Sequence, residues 1–196
     1  MRIKNSEHAA TAWRVQEIAP DFELHDAWQL PAAGGPNDFE TFLRVWRGLE
    51  LGQTSGSGAS GFLFRLRERL GRWFGWDDET NTLPIPGCTE RSLCERLPAD
   101  LPAIAERGPG PFLPVFQTED EFAAEISNGT VHAILQLGWR ARPDGTYGGS
   151  LGVYVKTRGW FGRVYMAAIA PFRHLIVYPA LLRRVDRAWA RRKAAT

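Results

Sequence analysis

FAAEISNGTVHAILQLGWRARPDGTYGGSLGVYVKT, residues 122–157, is the stretch whose reading decides the fold. Its apolar residues alternate, its turn residues punctuate it twice, and no helical period fits it. Asn128-Gly129 is the preferred centre of a two-residue hairpin turn. That turn places Ile126 opposite Val131, Ala124 opposite Ala133 and Phe122 opposite Leu135, all on one apolar face. Glu125 then faces His132 on the other side. Pro143-Asp144-Gly145 suits a three-residue hairpin with Gly145 in the left-handed position. It pairs Leu137 with Leu151, Leu135 with Val153 and Ala133 with Val155. A two-residue turn here would set Leu151 against Gly138 and mix the faces. The reading is a three-stranded antiparallel meander with Trp139 at one end of its apolar face. Residues 112–118 add a further strand.

Outward from the meander, the C-terminal side reads as helix. Across 167–192, Phe172, Leu175, Ile176, Pro179, Leu182, Val185 and Trp189 recur at helical spacing, with Arg183, Arg187 and Arg191 on the opposite stripe. Pro171 and Pro179 should each break or kink it. On the N-terminal side, residues 22–30 read as a first strand that stops at Pro31. Asp38 is placed to cap a helix from Phe39 to about Leu49, with Phe39, Phe42, Leu43 and Trp46 on one face. The run 52–61 is a Gly/Ser-rich loop without the lysine of a phosphate-binding loop. A second helix follows over 62–74, with Phe62, Leu66, Leu70 and Phe74 repeating every four residues. Residues 89–97 suit one short helix with Thr89 or Ser92 as cap and Cys94 as a small core residue. A sheet with one apolar face and a helix with one apolar stripe bury each other most simply by packing together. The expected class is α+β: an antiparallel sheet curved around a long C-terminal helix, with two helices after the first strand.

Composition excludes several classes. The chain has 196 residues, 44% hydrophobic and 23% charged, with a formal net charge of +2. That is ordinary for one globular domain, expected here over 1–196 with its core at about 21–192. The first twelve residues are polar and lack the apolar core of an export signal, so a flexible tail and a cytoplasmic location are expected. Two cysteines, Cys88 and Cys94, make no disulfide framework, and no Cys/His set stands at metal-binding spacing. No glycine-rich dinucleotide motif is present, so no cofactor is expected. Six basic residues and one acid between Arg183 and Lys193 form a solvated helix face, with no aromatic-basic platform for nucleic acid. The apolar run 160–182 carries Arg163, Arg173, His174 and two prolines. One charge near mid-bilayer costs about 2.5–3.5 kcal/mol, so a membrane span is not expected.

The order strand, helices, antiparallel strands, long helix resembles the helix-grip architecture of the START and Bet v 1 superfamily. That likeness implies a ligand cavity between sheet and final helix. Four motifs resemble the actinobacterial branch of the "domain of unknown function 2867" family: DAWQLP (26–31), FGWDD (74–78), EISNGTVH (125–132), and YMAAI leading into PFRHLIVYP (165–169, 171–179). The resemblance runs from about Asp21 to Trp189. It implies no established activity. Related domains fused to short-chain dehydrogenase-like proteins hint at small-molecule metabolism, and hence at an oxidoreductase partner.

Candidate chemistry centres on three residues. Arg173 could bind a carboxylate or phosphate, and His174 could exchange a proton near neutral pH. Asp26, beside Trp28 in the first strand, could act as a base if buried. Tyr165 and Tyr178 could add hydroxyls. Candidates for contact with a ligand are Trp28, Phe122, Leu135, Leu137, Trp139, Leu151, Val153, Tyr165, Phe172 and Tyr178. Glu125, His132 and Lys156 point away from the apolar face and form a surface row. The leading expectation is a domain binding a small hydrophobic or aromatic molecule. The alternatives are an acid–base enzyme of cyclase, hydrolase or isomerase type, and a non-catalytic partner of an oxidoreductase.

Overall fold

The computed structural model describes residues 1–51, 90–104 and 112–194. The loop expected over 52–61, the helix expected over 62–74, and Thr89 and Cys88 lie outside the described residues. The elements are α1 (Asn5–Ala9), α2 (Arg14–Ile18), β1 (Glu23–Gly34), α3 (Phe39–Leu51), a 3-10 turn (Leu93–Arg96), β2 (Leu113–Gln117), β3 (Glu121–Ser127), β4 (Val131–Ala141), β5 (Tyr147–Thr157), α4 (Gly159–Phe172), a π-helical turn (Arg173–Val177) and α5 (Tyr178–Ala194). The class is α+β: five antiparallel strands in the order β1-β5-β4-β3-β2, an early helix after β1, and a long C-terminal helix.

The second hairpin forms as the sequence indicates. Leu137 pairs with Leu151, Leu135 with Val153 and Ala133 with Val155, and Gly145 takes φ +81°. The first hairpin differs. Ile126 pairs with Ala133, Ala124 with Leu135 and Phe122 with Leu137, two residues away from the expected register. The Asn128 side chain explains it. Its Oδ1 accepts the N–H groups of Thr130 and Val131, and the Asn128 N–H donates to the Val131 carbonyl. This Asx geometry closes a longer loop without a positive φ at Gly129. A shift of two keeps every side chain on its face, so the apolar side of the meander is preserved.

β1 runs past Pro31 to Gly34 instead of stopping there. It is an edge strand, where a proline is tolerated, and its pairing is irregular between Gln29 and Ala33. The Arg142 guanidinium donates to the carbonyls of Leu30 and Ala32 across this irregularity. The first twelve residues are not a tail. The Ile3 N–H donates to Ala27, the Gln29 N–H donates to Met1, and Arg2 bridges to Trp28, so they cover the free edge of β1. His8 is buried on the sheet.

Both faces of the sheet are covered. On one, Leu30, Ala32, Phe122, Ala124, Leu137, Trp139 and Leu151 pack against Phe39, Phe42, Leu43 and Trp46 of α3 and Tyr178, Val185 and Trp189 of α5. On the other, Ala123, Ile134 and Tyr154 pack against Trp13, Val15 and Ile18 of the N-terminal segment and Leu93 of the 3-10 turn. Glu125 and His132 therefore form no surface row: His132 is fully buried. The C-terminal helical run begins eight residues earlier than the sequence period indicates, at Gly159. It passes through Pro171 and winds as a π-turn before Pro179.

Candidate functional site

Asp26 is 1% exposed and faces α5, and a bulge puts it there. Leu24 pairs with Tyr154 while Asp26 pairs with Val153, so His25 is the extra residue. Strict alternation would send Asp26 to the same side as Leu24. The bulge lets Leu24 enter one core and Asp26 enter the other face, the re-aiming that bulges beside functional sites provide.

The partners of Asp26 come from the π-turn. The His174 Nε2 lies 2.6 Å from Asp26 Oδ1, the Tyr178 hydroxyl donates to Oδ2 at 2.7 Å, and the Arg173 guanidinium lies 3.3 Å from Oδ2. On a regular helix of 3.6 residues per turn, Arg173 and Tyr178 would stand roughly 140° apart. A π-turn bonds residue i to i+5, and here the Tyr178 N–H donates to the Arg173 carbonyl. That winding stacks positions 173 and 178 on one side, with His174 between them. Pro179 has no N–H for the Leu175 carbonyl, which removes one bond of the competing α-helical ladder. A carboxylate this deeply buried is tolerable only with such partners.

Aromatic rings frame the cluster. The Trp28 ring lies 4.8 Å from Tyr178 and 6.1 Å from His174. Burial, with the Asp26 carboxylate beside it, pushes the Tyr178 hydroxyl far above its usual range, which keeps it a donor. Burial likewise raises the Tyr165 hydroxyl, with Arg173 opposing. Two buried donors at the site, Trp28 Nε1 and Arg173 Nε, have no hydrogen-bond partner among the described residues. Arg173 also reaches the Met166 sulfur at 3.7 Å.

The apolar candidates divide into two groups. Leu137, Trp139 and Leu151 are packed core. Trp139 stacks on Phe42 at 5.5 Å, contacts Trp189 at 5.9 Å and donates to the Gly35 carbonyl. Phe122 is buried with them. Trp28, Leu135, Val153 and Phe172 are only half-buried, although Leu135 and Val153 lie on the two central strands. A second, smaller core of Val131, Val155, Tyr165 and Met166 occupies the same face further along. Ala133, Leu135, Val153 and Ile169 lie between the two cores and are half-buried. Central-strand side chains beneath a helix are normally sealed. These four are the partly open stretch of this face, and Asp26, Arg173, His174 and Tyr178 lie on the same side of the sheet.

A family model described as a protein of unknown function (DUF2867) matches residues 18–180. The chain belongs to this family. The DUF2867 region spans the bulge and the whole π-turn cluster, and ends two residues beyond Tyr178. No curated protein and no solved structure matches the chain.

A second ionic network lies on the opposite face, where the sequence indicates only solvent. His132 Nε2 lies 2.7 Å from Glu125 and its Nδ1 lies 3.3 Å from Glu90. Lys156 and Arg158 pair with Glu90, and Ser92 and the Leu93 N–H donate to Glu125. Burial opposes ionisation of both carboxyls, but these donors outweigh it and hold both below the usual range. With His132 fully buried, this network fastens the 3-10 turn to the sheet. That Glu125 and His132 share a face was legible; they are not directly opposite, since Glu125 pairs with Ile134 and His132 with Ser127, and their cover was not legible. Among the described residues, no group of three or more His, Cys, Asp or Glu is placed to hold a metal ion.

Proposed function

We propose that this DUF2867 domain binds a small molecule with an apolar body and a carbonyl or carboxylate oxygen, in a groove beneath the π-turn. The observation that carries this reading is the juxtaposition at one place of half-buried central-strand residues and a buried polar cluster. Leu135, Val153, Trp28 and Phe172 would take the body. The unpartnered Trp28 Nε1 and Arg173 Nε would take the oxygen. Asp26 neutralises Arg173 and orients it, so the site favours a polar head without demanding full charge.

One observation supports an enzyme reading of the same groove. His174 is held by Asp26 through Nε2 and keeps 26% of its side chain exposed, which leaves Nδ1 for proton exchange. Asp26 would then be the positioning residue and His174 the acid–base group.

Filling the groove tests the proposal. Wild type screened against aromatic and terpenoid ketones, lactones and acids should show a rise in Tm with at least one class. The rise should vanish in Val153→Trp, which fills the space beside Asp26, its cross-strand neighbour. No stabilising compound for wild type, or an equal rise in Val153→Trp, would overturn it.

A further inference from the structure

Helix α4 presents its inner face to the sheet through Gly162, Tyr165 and Met166. Its outer face is apolar and open. Trp160 is 70% exposed, Phe161 52%, Val164 55% and Leu175, in the π-turn, 76%. Ala167, Ala168 and Pro171 are exposed on the same side. At 100° per residue these positions fall within roughly one third of the helix circumference. No Asp or Glu occurs from Gly159 to Val185. Single exposed apolar residues are commonplace, but these side chains form one patch on the order of 500 Å², near the upper end for a monomer.

Apart from Phe161, whose counterpart is His174, the order of sizes along the stripe is palindromic. Reading outward from the middle, Ala167 and Ala168 are small, Val164 and Pro171 are intermediate, and Trp160 and Leu175 are large. A two-fold axis between residues 167 and 168 exchanges each member of a pair with the other. Two antiparallel copies would cross closely at the alanines, and each Trp160 would cover the other copy's Leu175. Self-complementarity of this kind is what an isologous interface requires. We infer that α4 is a homodimer interface, with a second copy of this chain packed antiparallel across Ala167 and Ala168.

Two such patches bury about 1,000 Å², which reaches the lower bound for a specific interface. Charge permits it. Arg163 flanks the stripe, and Arg173 is already paired with Asp26. A lipid surface fits less well, although the run Gly159–Arg192 is long and apolar enough, by length and composition, to cross a bilayer. An interfacial lipid-binding helix turns a strongly basic face to water. The opposite face of α4 is packed on the sheet instead.

Sedimentation equilibrium of the full chain tests the inference. Wild type should have twice the chain mass at micromolar concentration, and Ala167→Arg should have the mass of one chain with unchanged circular dichroism. The double variant Trp160→Cys with Leu175→Cys should form a disulfide-linked dimer on oxidation, while neither single variant nor wild type does. A monomeric wild type overturns the inference. So does a dimer that survives Ala167→Arg, or a monomer that floats with phosphatidylglycerol vesicles through Trp160.

Discussion

Asp26 illustrates how a single residue acquires a role from its neighbours. Its own strand alternation would have left it on the other face, and only the extra residue His25 brings it under the π-turn. A buried pair on the opposite face makes the same point through titration. His8 is held down to about pH 4, chiefly by burial, and Glu121 is raised to about 7, chiefly by burial despite the Arg14 and Val15 N–H groups. Gln136 connects them, since it donates to Glu121 at 3.3 Å and meets His8. The unfolded chain protonates His8 near 6.5, before the folded chain does, so this term lowers stability as pH falls from 6.5 towards 4. The folded chain keeps the Glu121 proton up to about 7, long after the unfolded chain has lost it, so this term raises stability as pH falls from 7 towards 4.5. Between pH 7 and 5 each is worth about 2 kcal/mol, with opposite signs. Urea unfolding at the two pH values should show little net effect of the pair in wild type. Stability should rise towards pH 5 in His8→Gln and fall in Glu121→Gln. Parallel pH profiles for the three proteins would contradict this. The candidates Asp26, Arg173 and His174 were legible as chemistry-bearing residues in the sequence. That they meet was not, because their contact spans 148 positions and depends on a bulge and a π-turn, neither of which has a composition of its own.

At the level of elements, turn chemistry was decisive where backbone conformation dictated it. Gly145 has the left-handed φ its hairpin needs, and the register of β4 with β5 follows from the sequence. Asn128-Gly129 offered two solutions. The side chain of Asn128 selected the longer loop, a choice that alternation cannot report because both registers keep the same faces. The N-terminal segment packs on the sheet without a signal in the sequence, for a different reason. Its short helices have no periodic stripe, and Trp13 anchors them by fitting over a glycine. A Cβ on Gly138 would come within 2.1 Å of the Trp13 ring. Gly138→Ala should therefore destabilise the protein by about 2–3 kcal/mol through overpacking. Trp13→Ala should cost about 3–5 kcal/mol through the cavity it leaves. Denaturant titration that finds both substitutions neutral would mean the segment is not fastened to the sheet.

For the whole molecule, the sequence shows a sheet with one apolar face against a helix, and that half of the fold is as expected. The second layer could not be inferred, because Glu121, Glu125, His132 and Gln136 are interspersed with Ala123, Ile134 and Tyr154 beneath it. Glu125 and His132 read as part of a surface row with Lys156, yet both are buried, Glu125 against Ser92 and Leu93 and His132 against Glu90. The sheet is secured from behind by an apolar core and by ionic contacts. Leu135 and Val153 stay half-buried beside the Asp26 cluster, and we propose that a ligand binds there. Native mass spectrometry of the protein purified from its own host, followed by denaturing extraction, tests this most directly. One reproducible apolar, oxygen-bearing molecule should appear at near-stoichiometric level in wild type and be lost in Val153→Trp. A clean ligand-free mass for wild type, with no change in Tm across the compound panel, would contradict it.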